Sequence, residues 1–179
     1  KTTGRFDYVK ENLELFFSRW GNKFDDNGRF LSQDRLTRFL INWEGSQFVY
    51  HSLALVNREL SIELAKREDV ELSLIPYEPH EFDAQEDPKR FALIAERLNN
   101  PLSSPAEFHI RHQWPPNFTP PPEGHWIMIQ PWEFGSLPGD WIEPMESQVD
   151  ELWVPSNYVR EVYIKSGISA SKVFVIPNG

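Results

Sequence analysis

The 179-residue chain contains no cysteine, and this absence excludes two kinds of site. Without thiols there is no disulfide framework, and no metal can be held by thiolate ligands. A chain that needs no disulfide suits a reducing compartment. We therefore expect a cytoplasmic protein.

Long apolar runs are missing as well. No run in the sequence approaches the roughly 20 consecutive apolar residues that a membrane-spanning helix needs. We therefore expect a chain without a transmembrane segment, whereas peripheral contact with a membrane stays open.

Positive charge is scarce. Lys and Arg number 18 against 27 Asp and Glu, which gives a net charge of -9. A nucleic acid is therefore not an expected partner, because binding to its backbone depends on neutralising phosphates with Lys and Arg. An anionic ligand would need a local basic patch.

The motifs of several enzyme classes are absent too. There is no Gly-x-Gly-x-x-Gly for a dinucleotide, no His-Glu-x-x-His for zinc, and no Gly-rich loop that ends in Lys-Ser or Lys-Thr. His109 and His112 are three residues apart on an extended segment, so their side chains point to opposite sides of it. We expect neither a metal nor an organic cofactor.

What the chain does contain is an alternation of short apolar runs with helical patterns, which is typical of an α/β fold with a parallel sheet. We predict a Rossmann-like sheet of about six parallel strands with helices on both faces. The predicted strands are Phe39–Asn42, Val70–Ile75 (near an edge), Phe108–Arg111, Trp126–Gln130, Glu151–Val154 and Val173–Ile176. The predicted helices are His51–Arg67, with Leu53, Val56, Leu60 and Leu64 in its stripe, a helix from Asp87 to about Asn99, and one that Ser156 caps and Gly167 ends.

Residues 1–38 have a different character. Leu13, Phe16, Phe17 and Trp20 share one face of a helical pattern, which predicts an N-terminal helical extension or linker that docks on the following domain. The cluster Asp25–Gly28 lacks the spacing of a calcium loop, and we interpret it as a turn. The main domain is predicted to span residues 39–176.

The last thirty residues carry a family resemblance. The run Val-Asp-Glu-Leu-Trp-Val-Pro-Ser-Asn-Tyr-Val-Arg-Glu from Val149, followed by Lys-Val-Phe-Val-Ile and Pro-Asn-Gly at 177–179, resembles the end of the N-terminal domain of GT-B glycosyltransferases, specifically the retaining family 4 (group 1) enzymes. The resemblance is weaker but ordered over residues 41–132. It does not cover residues 1–38.

That resemblance implies a function for the chain as part of a longer protein. It implies transfer of a sugar from a nucleotide-sugar donor to an acceptor hydroxyl, with retention and without a divalent metal. Residues 39–176 would be the acceptor-side domain, and 177–179 would begin a hinge to a C-terminal Rossmann-like domain, the expected partner, which binds the donor. We expect the isolated piece to be inactive.

Candidate donor residues follow the first strand. Gly45 lets the backbone approach a ligand close to a helix N-terminus, where free N–H groups favour anions. The resemblance places this loop near the donor phosphate, and Gly45 and Ser46 are therefore candidate donor and phosphate residues. His51 either hydrogen-bonds a sugar hydroxyl there or only packs in the first turn of its helix.

Candidate acceptor residues follow the third and fourth strands. Trp114 and Trp132 lie on Pro-rich loops and offer flat platforms for sugar rings, and Arg111 is placed with them. The alternative for both tryptophans is packing in the core. Glu133 is the candidate general base, because such a base must reach a hydroxyl proton in the cleft. The alternative for Glu133 is a helix cap or a solvated side chain. Trp126 and Trp153 lie within strands and are expected in the core.

Two other functions stay open. One is a non-catalytic carbohydrate-binding or scaffold domain of the same fold, whose aromatic loops bind glycans without chemistry. The other is a dinucleotide-binding oxidoreductase or epimerase, which the missing glycine fingerprint disfavours.

Overall fold

Strands and helices alternate along residues 38–177, the part of the chain that the computed structural model describes. The strands are β1 (Phe39–Gly45), β2 (Val70–Pro76), β3 (Phe108–His112), β4 (His125–Ile129), β5 (Glu151–Val154) and β6 (Val173–Val175). The helices are α1 (Ser52–Ala65), α2 (Pro88–Ala95), α3 (Gly139–Ser147) and α4 (Asn157–Lys165), with a short 3₁₀ helix at Ala84–Glu86.

The strands of this part of the chain form one parallel sheet in the order β2-β1-β3-β4-β5-β6. The predicted α/β fold with a Rossmann-like parallel sheet is confirmed, and β2 lies at an edge as its alternation indicated. From β1 the chain crosses outward to β2 and then returns past β1 to β3. The direction of sheet building therefore changes between β1 and β3, and ligands of open parallel sheets bind at such a switch point, outside the carboxyl ends of the strands.

Helices cover both faces of the sheet, because alternate residues of one strand belong to different core clusters. Ile127 and Ile129 of β4 lie in a cluster with residues of α1 and α2. Trp126 and Met128 lie in a second cluster with residues of α3 and α4. Trp126 and Trp153 are buried, at 2% and 7% exposure, as predicted.

The helix ends follow the predicted chemistry. The Asp87 side chain accepts a hydrogen bond from the backbone N–H of Arg90 at the start of α2, and Ser156 accepts one from Val159 at the start of α4. Gly167 follows α4 with a φ of 115°, a conformation that favours glycine. Local capping therefore fixes where these two helices begin and where α4 ends.

Several boundaries differ from the prediction. β1 continues to Gly45, because Trp43, Glu44 and Gly45 pair with both β2 and β3. α2 ends at Ala95 instead of about Asn99, and Leu98 then forms a bridge to Leu74 of β2. Gly45 is therefore the last residue of a central strand and not part of the following loop.

The buried face of α1 also differs from the predicted stripe. Of Leu53, Val56, Leu60 and Leu64, only Leu64 is fully buried. Leu60 packs against the core from a half-buried position, and the buried face combines the apolar residues Ala54, Ile62, Leu64 and Ala65 with the polar residues Asn57, Arg58 and Ser61. The predicted stripe therefore holds for Leu60 and Leu64, whereas Leu53 and Val56 lie nearer the surface, and hydrogen bonds of Asn57 and Arg58 also anchor this helix.

Helix α3 was not predicted, since Gly139 and Pro144 argue against a helix. It forms because Trp141 and Met145, four residues apart, both bury into the second core cluster. The predicted N-terminal extension up to residue 37 and the hinge residues Asn178 and Gly179 lie outside the described residues. Among residues 38–177, no helix has both the length and the apolar character needed to cross a membrane.

Candidate functional site

A pocket of about 330 Å³ opens at the carboxyl ends of β3 and β4, beside the start of α1. Three segments that are far apart in the sequence line it, and they meet close to the switch point between β1 and β3. Its lining residues are Ser52, Leu53, Val56, His112, Trp114, Gln130, Pro131, Trp132, Glu133 and Phe134. The structure thus brings the predicted residues Trp114, Trp132 and Glu133 together.

An aromatic platform forms one side of this pocket. The rings of Trp114 and Trp132 stack at an interplanar angle of 21°, with their centroids 6.4 Å apart. The ring centroid of Phe134 lies 4.9 Å from that of Trp132. The ring centroid of Trp141, in α3, lies 4.9 Å from that of Trp132 and 5.7 Å from that of Trp114. Trp114 is 52% exposed and Phe134 67% exposed, so apolar ring surface remains available to a ligand.

A hydrogen bond within the loop after β4 and packing on helix α3 hold the aromatic platform in place. Trp132 donates its indole N–H to the backbone oxygen of Ser136 at 2.7 Å, which fixes the ring on its own loop. Trp141, from α3, is only 9% exposed and belongs to the second core cluster. A flat, preformed aromatic surface binds a ligand ring without first losing side-chain freedom.

His112 lies at the base of the pocket, and its ring is 1% exposed. Its Nδ1 is 2.8 Å from Oδ1 of Asn57. The same Oδ1 accepts the indole N–H of Trp43 at 3.0 Å, while Nδ2 of Asn57 donates to the backbone oxygens of Ser46 and His112. The orientation of the Asn57 amide is therefore fixed by its four hydrogen bonds.

This fixed amide determines the state of His112. Oδ1 of Asn57 can only accept, so Nδ1 of His112 carries the proton and Nε2 carries the lone pair. Burial, helped by the charge of His51, lowers the pKa of His112 to about 4, so the ring is neutral at physiological pH. Within residues 38–177, no side chain or backbone group is hydrogen-bonded to Nε2. The pocket thus contains one strong, neutral hydrogen-bond acceptor.

Ser46 and His51 occupy a neighbouring position at the start of α1. Ser46 donates its hydroxyl to Oε1 of Glu78, and Nε2 of His51 lies 2.8 Å from the same oxygen. His51 also caps α1, since its Nδ1 accepts the backbone N–H of Ala54 at 3.2 Å. The hydrogen bonds from Ser46 and His51 lower the pKa of Glu78, which keeps a negative charge at this position.

Gly45 is enclosed on the side that a Cβ atom would occupy. Such an atom would lie 2.4 Å from the backbone oxygen of His112 and 2.6 Å from Nδ2 of Asn57. The missing side chain therefore makes room for Asn57. The predicted roles of Gly45 and Ser46 toward a donor phosphate stay predictions, and their immediate neighbours are an amide and a carboxylate.

Arg111 lies on the other face of β3 from His112 and does not line the pocket. Its side chain is 6% exposed, donates from Nε to Glu44 at 2.7 Å, and donates from Nη1 to the backbone oxygens of Asn117 and Thr119. The guanidinium lies 5.0 Å from the ring centre of Trp126. Arg111 thereby ties the long loop after β3 to the sheet.

Glu133 is exposed at the rim and, among the lining residues that the structure describes, is the one charged side chain. No Lys or Arg of residues 38–177 lines the pocket. A phosphate or diphosphate would need cations from elsewhere to bind here. A neutral ligand with apolar ring faces and hydroxyl groups fits the described walls better.

Sequence reasoning missed His112 and Asn57. His112 was considered only as a metal ligand beside His109, and the two do point to different faces: His109 contacts Glu44 at 2.8 Å. The available signal was Asn57, a polar residue placed where a helix after a Gly-ended strand packs against the sheet. No group of three or more His, Asp or Glu side chains in residues 38–177 is arranged to hold a metal ion.

Comparison with known proteins adds no assignment: no family model, no curated protein and no solved structure matches this chain.

Proposed function

We propose that residues 39–176 form the acceptor-side domain of a cytoplasmic glycosyltransferase that moves a sugar from a nucleotide-sugar donor to an acceptor hydroxyl with retention. The observation that carries this proposal is the pocket close to the switch point, which is lined by stacked Trp114 and Trp132 and by polar side chains but by no Lys or Arg of the described part of the chain. Such a pocket suits an uncharged saccharide. The resemblance of Val149–Gly179 to the GT-B enzymes supplies the reaction class.

In this proposal the acceptor ring stacks on the tryptophans and presents a hydroxyl to the open side of the pocket. Glu133 stands at the rim, where a carboxylate can accept a hydrogen bond from the reacting hydroxyl. The donor diphosphate needs positive charge, which the described lining of the pocket does not supply. A second Rossmann-like domain would supply it and would exclude water on closing over the donor.

The experiment measures binding and turnover separately. The 179-residue chain is titrated with a panel of methyl glycosides by calorimetry, and with nucleotide sugars while released nucleotide is assayed. We expect binding of at least one glycoside and no nucleotide release. A protein that also contains the second domain is expected to release nucleotide when donor and acceptor are both present. Turnover by the 179-residue chain alone, or no glycoside binding at all, would contradict the proposal.

A non-catalytic carbohydrate-binding domain is the second candidate, and the same aromatic pocket favours it. The two candidates differ in one readout only, which is nucleotide release by the longer protein. If every donor in the panel gave no release while glycoside binding persisted, the binding domain would be the better description.

A further inference from the structure

We propose that His112 selects the ligand of the pocket: its Nε2 accepts a hydrogen bond from one hydroxyl group of a neutral saccharide whose ring stacks on Trp114 and Trp132. This inference rests on the proposed function and adds to it a recognising atom and the chemical group that it recognises. His112 is not among the residues that the sequence patterns select.

The first step of the argument is the direction of the hydrogen bond. Trp43 can only donate to Oδ1 of Asn57, so the Asn57 amide cannot turn over without losing this bond and the two that Nδ2 donates to the backbone oxygens of Ser46 and His112. His112 must then donate from Nδ1, which leaves Nε2 as an acceptor only. A ligand hydroxyl satisfies that lone pair, whereas an ether or a carbonyl oxygen at the same place repels it.

The second step is enclosure. His112 is 1% exposed and lies beside the aromatic platform, so a ligand that fills the pocket removes the remaining water from Nε2. An acceptor that becomes buried without a partner weakens binding by about tenfold. The pocket should therefore discriminate between a glycoside and the analogue that lacks the contacted hydroxyl.

The third step separates recognition from catalysis. Burial keeps His112 neutral, so it cannot hold a transferred proton near neutral pH. His51, at the start of α1, acts on His112 through its charge, and Glu133, on the loop after β4, lines the same pocket, while His109 and Glu44 lie on the other face of the sheet. His112 therefore orients a hydroxyl, and the proton leaves to another group.

Two variants of His112 separate this role from a structural one. His112→Asn keeps an N–H donor near the position of Nδ1, for Asn57, but removes the atom that faces the ligand. His112→Gln places an amide oxygen near the position of Nε2 and should restore an acceptor. His125→Gln is the matched control, because His125 begins β4 at the opposite end of the sheet from the pocket. Thermal unfolding establishes that each variant is folded.

The measurement is calorimetric titration of the 179-residue chain and its variants with methyl glycosides and their monodeoxy derivatives. For the parent chain we expect about tenfold weaker binding of one monodeoxy derivative. His112→Asn should bind the parent glycoside about tenfold more weakly and bind the monodeoxy derivative no worse. His112→Gln should recover part of the affinity, and His125→Gln should match the parent.

The outcomes separate the two proposals. If the parent chain bound glycosides and His112→Asn kept the same discrimination, the role of His112 would be wrong while the proposed function stood. If no glycoside bound to the parent chain, the proposed function would fail and His112 would have no ligand to select. A long-range proton–nitrogen NMR spectrum that showed the His112 proton on Nε2 would overturn the inference without any ligand.

Discussion

Gly45 is the last residue of β1 and lies against Asn57 of α1 and the backbone of His112. We predict that Gly45→Ala lowers the free energy of unfolding by roughly 1–3 kcal/mol, because the added Cβ would collide with the Asn57 amide and with a backbone oxygen that cannot move freely. Denaturant unfolding measures this change.

Gly135 provides the control for that substitution, since an added Cβ there meets nothing within 4 Å. Gly135→Ala should therefore change stability by less than about 0.5 kcal/mol. Equal effects of the two substitutions would contradict the packing that we describe around Asn57.

Glu44 gives a prediction about pH. Partial burial raises the pKa of Glu44, but the hydrogen bonds from His109 and Arg111 and the charge of Arg111 outweigh burial, so the pKa lies below 4.5. The ionised carboxylate therefore contributes stability above about pH 4.5, and this contribution is lost as the pH falls through the lowered pKa.

We accordingly expect Glu44→Gln to be less stable than the parent near neutral pH and to lose less stability on acidification. Denaturant unfolding of both proteins between about pH 7 and pH 3 measures the difference. Parallel stability curves over the acid range would show that Glu44 is not ionised preferentially in the folded state.

The capping residue Ser156 gives a prediction for α4. Ser156→Ala removes the hydrogen bond to the backbone N–H of Val159 and should cost about 1 kcal/mol of unfolding free energy. Ser171→Ala is the matched control, since Ser171 is exposed and follows the helix. A loss of the same size in both variants would mean that the cap does not anchor α4.

The secondary structure shows which patterns can be read from a sequence and which cannot. Strands with contiguous apolar residues, such as Trp126–Gln130, and helices with a capping residue, such as the one after Ser156, were predicted close to their observed bounds. α3 was not, because Pro144 lowers its intrinsic propensity while Trp141 and Met145 bind it to a core that only the folded chain contains.

The polar face of α1 shows the same limit. Asn57, Arg58 and Ser61 are all buried. Arg58 donates to the backbone oxygens of Gln47 and Val49, and Asn57 donates to those of Ser46 and His112. A hydrophobic stripe cannot reveal such a face, since its partners lie on loops and on strand β3.

The arrangement of the sheet decides how much of the site could be foreseen. A parallel sheet collects its carboxyl-end loops at one edge, so the meeting of Trp114, Trp132 and Glu133 followed from the strand order. The inward engagement of Arg111 and the role of Asn57 could not be foreseen, because each depends on a partner that is distant in the sequence: Glu44 lies 67 residues from Arg111, and His112 lies 55 residues from Asn57. The strand order determines which loops lie at the pocket. The hydrogen-bond partners of each side chain determine which residues of those loops and strands face it.

The aromatic platform gives a prediction for the pocket. Trp114→Ala should weaken glycoside binding by roughly tenfold or more, because it removes one of the two stacked rings, and it should lower stability less than a truncation in the core does because Trp114 is 52% exposed. Trp126→Phe is a useful comparison, since Trp126 is 2% exposed and lies in the core. It should lower stability and leave glycoside affinity unchanged, as measured by calorimetry and thermal unfolding.

The central claim is that a neutral saccharide binds in the pocket at the carboxyl ends of β3 and β4. The most direct test follows the indole N–H signals of the seven tryptophans by NMR during titration with the methyl glycosides. The account predicts concentration-dependent shifts of the Trp114 and Trp132 signals, with that of Trp153, which lies in the core and bonds to Glu151, little changed. Signals that stay still with every glycoside, or that move only for tryptophans away from the pocket, would contradict it.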